Sequence, residues 1–218
     1  MGARKTGGKR ERELRRKKPS RPPKPIILIV CEGVETEPNY FHKFRQNLRF
    51  SKEQMKICGG DECGTHPKNI VEFAKNKREE IERKKGYDYD EVWCVFDCDA
   101  HERIHEAFNQ AEALKYRVIF SNPCFELWYL LHYQDQRAHI EREDVFRSLR
   151  SHIPDYEKGI ENIYTLLSDN QAEAIERAKR IRKWHKDNGD EETENPSTTV
   201  DTLVEELESI FSNFQKGR

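Results

Sequence analysis

The stretch Ile26-Ile27-Leu28-Ile29-Val30-Cys31 is apolar without a break and rich in β-branched side chains. Alternation would mark a strand with one wet face. An unbroken run marks a strand covered on both faces, as in a parallel sheet packed between helices. A second run, Val92 to Phe96, leads into Asp97-Cys98-Asp99, just as the first leads into Glu32-Gly33. Each is a buried strand that ends in carboxylates.

The segments between and after these runs read as crossovers. Thr36 can cap a helix with Pro38 in its first turn, and Tyr40, Phe41, Phe44 and Leu48 recur at helical spacing. Met55 to Cys58 reads as a short strand ended by Gly59-Gly60, and Pro67 starts a long helix with Ile70, Val71, Phe73, Ala74 and Ile81 on its apolar face. The strand Glu91 to Phe96, a helix from about Glu102 to Lys115 and the strand Arg117 to Phe120 follow. The order β-α-β-α-β-α-β predicts a Rossmann-like α/β fold with a mainly parallel four-stranded sheet and right-handed crossovers.

Beyond Ser121 the pattern turns helical, with segments predicted over Cys124–Tyr133, Arg142–Ser151, Gly159–Leu167, Ala172–Trp184 and Val200–Phe214, and a polar, acidic loop over Asp187–Ser197. Three parts are expected: a basic arm at 1–24, an α/β core at 25–122 and a helical extension at 123–218 packed on that core.

Composition narrows the function classes. The net charge of −1 hides an asymmetry: residues 1–24 carry 11 Lys/Arg and 2 Asp/Glu, and the remainder carries 28 and 38. An arm of net charge +9 with almost nothing apolar to bury reads as disordered in isolation and suits contact with nucleic acid, where each neutralised phosphate releases counterions. A solubilising or partner-docking tail is the plainer reading. No apolar run approaches the roughly 18 residues of a membrane span, and the first 24 residues lack the apolar core of a secretory signal. Cys31, Cys58, Cys63, Cys94, Cys98 and Cys124 lie mostly in or beside apolar strands, which is thiol usage of a reducing cytoplasm.

In a parallel sheet, ligands bind in the crevice beyond the carboxyl ends of the strands. Side chains two apart on a strand share a face, so Asp97 and Asp99 can converge, and Glu32 joins them if the two strands are neighbours. Carboxylates so gathered raise one another's pKa unless a cation sits among them. Hard oxygen donors favour Mg2+ or Mn2+. Taken singly, an Asp-x-Asp after a strand also serves turns and caps, and a lone Glu there is commonly solvated. In Ser121-Asn122-Pro123-Cys124-Phe125-Glu126-Leu127-Trp128, the Asn-Pro step places Glu126 in a first helical turn near the crevice. There it can hold metal, or merely complement the helix dipole. Phe125, Leu127, Trp128, Leu130 and Leu131 read as core rather than as base-stacking residues.

Together these motifs resemble the RloB-like family of bacterial defence-associated proteins, whose core is a Toprim-like domain. The matching residues are Cys31 to Phe41, Asp97-Cys98-Asp99, Ser121 to Trp128 with His132, Tyr156-Glu157-Lys158 and Asn195 to Thr198. The resemblance implies that Glu32 is the general acid or base and that Asp97 and Asp99 are metal ligands. Related Toprim nucleases carry a second metal-holding Glu four residues after the first. Here that position is Thr36, so Glu37 is the candidate and Glu35 a poorer substitute. Lys158 and Lys68 can contact substrate phosphate or remain solvated.

Other chemistries fit less well. Cys58, Cys63 and His66 lack a clear fourth zinc ligand, and no phosphate-binding Gly-x4-Gly-Lys-Ser/Thr run or serine or cysteine protease signature is present. His101 can protonate a leaving group or sit at a helix start, and His132 reads as a hydrogen-bonded core residue. The expectation is a cytoplasmic, Mg2+- or Mn2+-dependent nuclease of DNA or RNA, an effector in an anti-phage system, with the resemblance implying a partner ATPase encoded nearby. The alternative is a non-catalytic nucleic-acid-binding or regulatory subunit that retains the Toprim scaffold.

Overall fold

The computed structural model describes residues 25–64, 66–98 and 104–216. Both apolar runs are strands: β1 is Ile27–Cys31 and β3 is Glu91–Asp97. Between them lie α1 (Thr36–Asn47), β2 (Met55–Cys58), the short α2 (Gly60–Cys63) and α3 (Pro67–Lys85). Next come α4 (Ile104–Ala113), β4 (Arg117–Asn122), α5 (Glu126–Leu130), α6 (Arg142–His152) and α7 (Ile163–Leu167). A 3-10 turn, α8 (Gln171–Asn188), β5 (Ser197–Thr198) and α9 (Val200–Lys216) complete the chain.

Among the described residues the sheet has five strands in the order β2-β1-β3-β4-β5. The first four are parallel, with Ile27 opposite Met55 on one side and Glu91 on the other, and Trp93 opposite Arg117. β5 is antiparallel, pairing Ser121 with Thr198 and Asn122 with Ser197. The expected four strands were therefore one short. The missing strand begins at Ser197, the last residue of the segment read as a polar loop. Ser197 and Thr198 are in fact fully buried. Thr198 is answered locally: the Ser121 and Thr198 hydroxyls are 2.8 Å apart, and Thr198 also donates to the Phe120 carbonyl, whereas the buried Ser197 hydroxyl has no hydrogen-bond partner among the described residues.

Residues of β1 divide between two cores by parity, which is what an unbroken apolar strand requires. Ile27, Ile29 and Cys31 join Tyr40, Phe41 and Phe44 of α1 together with α5 and α9. Leu28 and Val30 join Ile70, Val71 and Ala74 of α3 and Ala107 and Ala111 of α4. In β3, Trp93 and Val95 belong to the first core and Val92, Cys94 and Phe96 to the second. Asp97 therefore emerges on the face covered by α1 and the C-terminal helices.

Several local expectations change. Glu35, not Thr36, precedes the first turn of α1, with no side-chain cap. The helix expected over Cys124–Tyr133 is only Glu126–Leu130, and the one expected from Gly159 starts at Ile163. The helices expected over Ala172–Trp184 and Val200–Phe214 run longer, to Asn188 and Lys216. On α9, Val200, Leu203, Val204 and Leu207 are all fully buried, a helical stripe. His66 caps α3 by accepting the Lys68 N–H at 3.2 Å, which accounts for it without zinc. No helix among the described residues is long and apolar enough to cross a membrane, and none of the six cysteines is in a disulfide among the described residues.

Candidate active site

Chain order reverses between β1 and β3: α1 leads from β1 outward to β2, whereas β3 leads the other way to β4. Such a reversal opens a crevice at the carboxyl ends of the two strands. Glu32 and Asp97 leave those ends side by side, and the Glu32 N–H extends the ladder by donating to the Val95 carbonyl at 2.9 Å. A cavity of about 420 Å3 lies there, walled by Glu32 to Glu37, Asp97, Phe125, Glu126, Arg142 and Lys158.

Five carboxylates line it, those of Glu32, Glu35, Glu37, Asp97 and Glu126. Glu32 Oε2 accepts the backbone N–H of Asp97 at 2.9 Å. Glu37, in the first turn of α1, turns back so that Oε1 accepts the Gly33 N–H at 3.0 Å. This return needs glycine: a Cβ on residue 33 would lie 1.9 Å from Glu37 Oε2. Glu126 is buried at the start of α5 and takes a long hydrogen bond, 3.4 Å, from the Thr36 hydroxyl. The Tyr129 hydroxyl ties the same turn down by donating to the Thr36 carbonyl at 3.0 Å.

Crowding sets the protonation of the group. Burial pushes Glu37 from an ordinary 4.5 up to about 7, and the charges of Glu126 and Glu32 add to the rise against two backbone hydrogen bonds. Asp97 is raised well above the usual carboxylate range, first by burial and then by Glu37, Glu32 and Glu126, with Arg142 opposing. One oxygen of Asp97, Oδ1, is buried with no hydrogen-bond partner among the described residues, whereas Oδ2 accepts from Arg142 Nη2 at 3.2 Å.

Arg142 is the residue that sequence reasoning missed. It opens α6, 45 positions beyond Asp97. One signal was available: a cation at the first position of a helix opposes the macrodipole, whereas Glu143 and Asp144 beside it comply. Lys158 lines the cavity from the loop before α7. That loop is pinned to α1 because Asn39 Nδ2 donates to the Gly159 carbonyl at 2.6 Å. Gly159 (φ +83°) also passes so close that a Cβ would meet Glu35 Oε2 at 2.2 Å. Lys68 lies apart on the surface of α3, where its ammonium is 3.6 Å from Glu106. Asp99 and His101 lie outside the described residues. His132 is buried with Nδ1 2.8 Å from the Trp128 carbonyl, and burial lowers it to about 4. Phe125, Leu127, Trp128, Leu130 and Leu131 are core.

In kind, this donor set fits a hard divalent ion, since a buried Asp97 oxygen with no partner among the described residues shares a cavity with four further carboxylates. Among the described residues, however, no three His, Cys, Asp or Glu side chains close on one ion position. Glu32 and Glu37 are instead held by backbone N–H groups and Asp97 by a guanidinium.

The family model described as RloB-like protein matches residues 27–207, from the first residue of β1 into α9. No curated protein and no solved structure matches the chain.

Proposed function

We propose that this chain, which belongs to the RloB-like protein family, is a Toprim-type nuclease that hydrolyses phosphodiester bonds of DNA or RNA with Mg2+ or Mn2+. The observation that carries the reading is the gathering of Glu32, Glu37, Asp97 and Glu126 into one cavity at the ends of β1 and β3, with Asp97 Oδ1 buried and without a partner among the described residues. Such crowding is costly without compensating positive charge, and phosphate chemistry is where a divalent ion supplies it.

Asp97, Glu37 and Glu126, with Asp99, would hold the ion. Once bound, it would neutralise the carboxylates and polarise the scissile phosphate. Glu32 would take the proton of the attacking water. Its hold on the Asp97 N–H keeps the carboxylate pointed across the crevice, so little reorganisation is needed at that step. Lys158, which lines the same cavity, would orient a substrate phosphate. The working setting proposed is the cytoplasm, in an anti-phage system where a partner ATPase controls the nuclease.

The test incubates the purified chain, with and without the candidate ATPase, with Mg2+ or Mn2+ and labelled DNA and RNA pools. Cleavage by wild type and none by Asp97→Asn is expected; equal cleavage by both would sink the proposal. One observation favours a second reading, a nucleic-acid-binding or regulatory subunit: Glu32 and Glu37 each accept a backbone N–H, and no three of the described carboxylates close on one point. Full anti-phage activity of Glu32→Gln and Asp97→Asn, with loss on removing residues 1–24, would support it.

A further inference from the structure

The carboxylates of the cavity are not left to repel one another. Arg142 Nη2 lies 3.2 Å from Asp97 Oδ2 and 3.1 Å from the Pro123 carbonyl, so the guanidinium bridges the end of β3 and the turn before α5. Its side chain is 30% exposed, against 14% for Asp97, which puts the cation at the mouth and the anion inside. The placement works against α6, whose N-terminus disfavours positive charge. What offsets it is the carboxylate group, and Arg142 is the charge that opposes the rise of Asp97.

We infer that Arg142 is a positioning residue that lends Asp97 the positive charge a divalent ion would otherwise supply, and that an ion taking both Asp97 oxygens displaces it from Oδ2. The inference rests on the metal-dependent reading above and adds to it a built-in competitor for the ion. It also gives a physical reason why the carboxylates stand apart: with Oδ2 taken by the guanidinium, Asp97 cannot turn both oxygens to a common centre with Glu37 and Glu126. Arg142 suits the part because guanidinium keeps its charge at any physiological pH and is weakly hydrated, so it tolerates a half-buried place. The Pro123 contact would keep it at the rim after exchange, where a substrate phosphate would meet it.

The test measures Mn2+ binding by calorimetry and thermal melting at pH 8 on the full chain stripped with chelator, for wild type, Arg142→Gln and Arg142→Lys. A merely structural arginine would weaken Mn2+ binding when removed. The inference predicts the reverse: Arg142→Gln melts lower in chelator yet binds Mn2+ about tenfold tighter, the scale expected when a neighbouring positive charge is removed. Arg142→Lys, which keeps the charge, stays near wild type. Equal or weaker Mn2+ binding by Arg142→Gln, with wild type binding normally, overturns the inference and leaves the nuclease reading standing. No binding by either protein overturns both. Should Arg142→Gln fail to fold, the Arg142 Nε–H resonance, identified by its absence in Arg142→Lys, decides the matter in wild type: it shifts on Mg2+ saturation if the guanidinium is displaced, and an unmoved resonance at saturation refutes the exchange.

Discussion

The Glu32 carboxylate accepts the backbone N–H of Asp97 at 2.9 Å, across 65 positions of sequence. That bond couples the ends of β1 and β3 directly, in addition to their ladder. It aims one acidic side chain at the strand end that carries the other.

Glu32→Gln keeps an oxygen that can accept the Asp97 N–H but cannot take a proton. The variant should melt within a degree or two of wild type, and cleavage should fall by roughly 10²–10⁴-fold, the usual worth of a general base. Glu32→Ala should in addition lose about 1 kcal/mol of stability with the hydrogen bond. Paired urea melts and cleavage assays separate the two effects.

Burial raises Glu37 from 4.5 to about 7. Between those values the folded state holds a proton that the unfolded chain has released, so stability falls as pH rises through the window and levels off above it. Without divalent ions, the loss from pH 4.5 to 8 should be on the order of 3 kcal/mol from this group. Asp97, raised in the same direction, should add to it. Glu37→Gln should flatten the profile, as urea midpoints in chelator across this range would show.

Gly33→Ala should cost about 1–3 kcal/mol, because the new Cβ would lie 1.9 Å from Glu37 Oε2 and displace that carboxylate from the Gly33 N–H. Glu37→Ala should remove most of this penalty. Additive losses in the double mutant would show that the clash lies elsewhere.

Asp201 is fully buried and pairs with Arg182 through two bonds, 2.6 and 2.7 Å, and Arg182 also donates to the Thr198 carbonyl. Asp201→Ala leaves a largely buried guanidinium unpaired, at a cost of about 3–5 kcal/mol. Because Arg182 also holds β5, the exchange of amide hydrogens around Phe120 and Thr199 should quicken as well.

Lys158 lines the cavity, whereas Lys68 is exposed and beside Glu106. In a Glu32→Gln background, Lys158→Gln should reduce the slope of log affinity for nucleic acid against log salt by roughly 0.7–0.9, the signature of one lost phosphate contact. Lys68→Gln should leave the slope unchanged.

What the sequence determined by itself is the part of the fold that repeats locally. Two unbroken apolar runs each needed cover on both faces, and the intervening helical stripes could supply it only as crossovers of a parallel sheet. From this followed the order of the elements and the placing of Glu32 and Asp97 at strand ends, while their adjacency waited on the sheet order that makes β1 and β3 neighbours. Three features were decided only by tertiary structure. Ser197 and Thr198 look like loop because their burial depends on pairing with Asn122 and Ser121 of β4, not on a periodic pattern. Thr36 looks like a cap, yet its hydroxyl faces Glu126, 90 residues away. Arg142 carries almost no local signal: its meaning lies in Asp97 Oδ2, which it reaches because the parity of β3 turns Asp97 toward the face that α6 covers. Patterns of burial can be read along a chain, because each residue carries its own share. The compensation of a buried charge cannot be read so, because it belongs to whichever distant side chain the fold brings within about 3 Å.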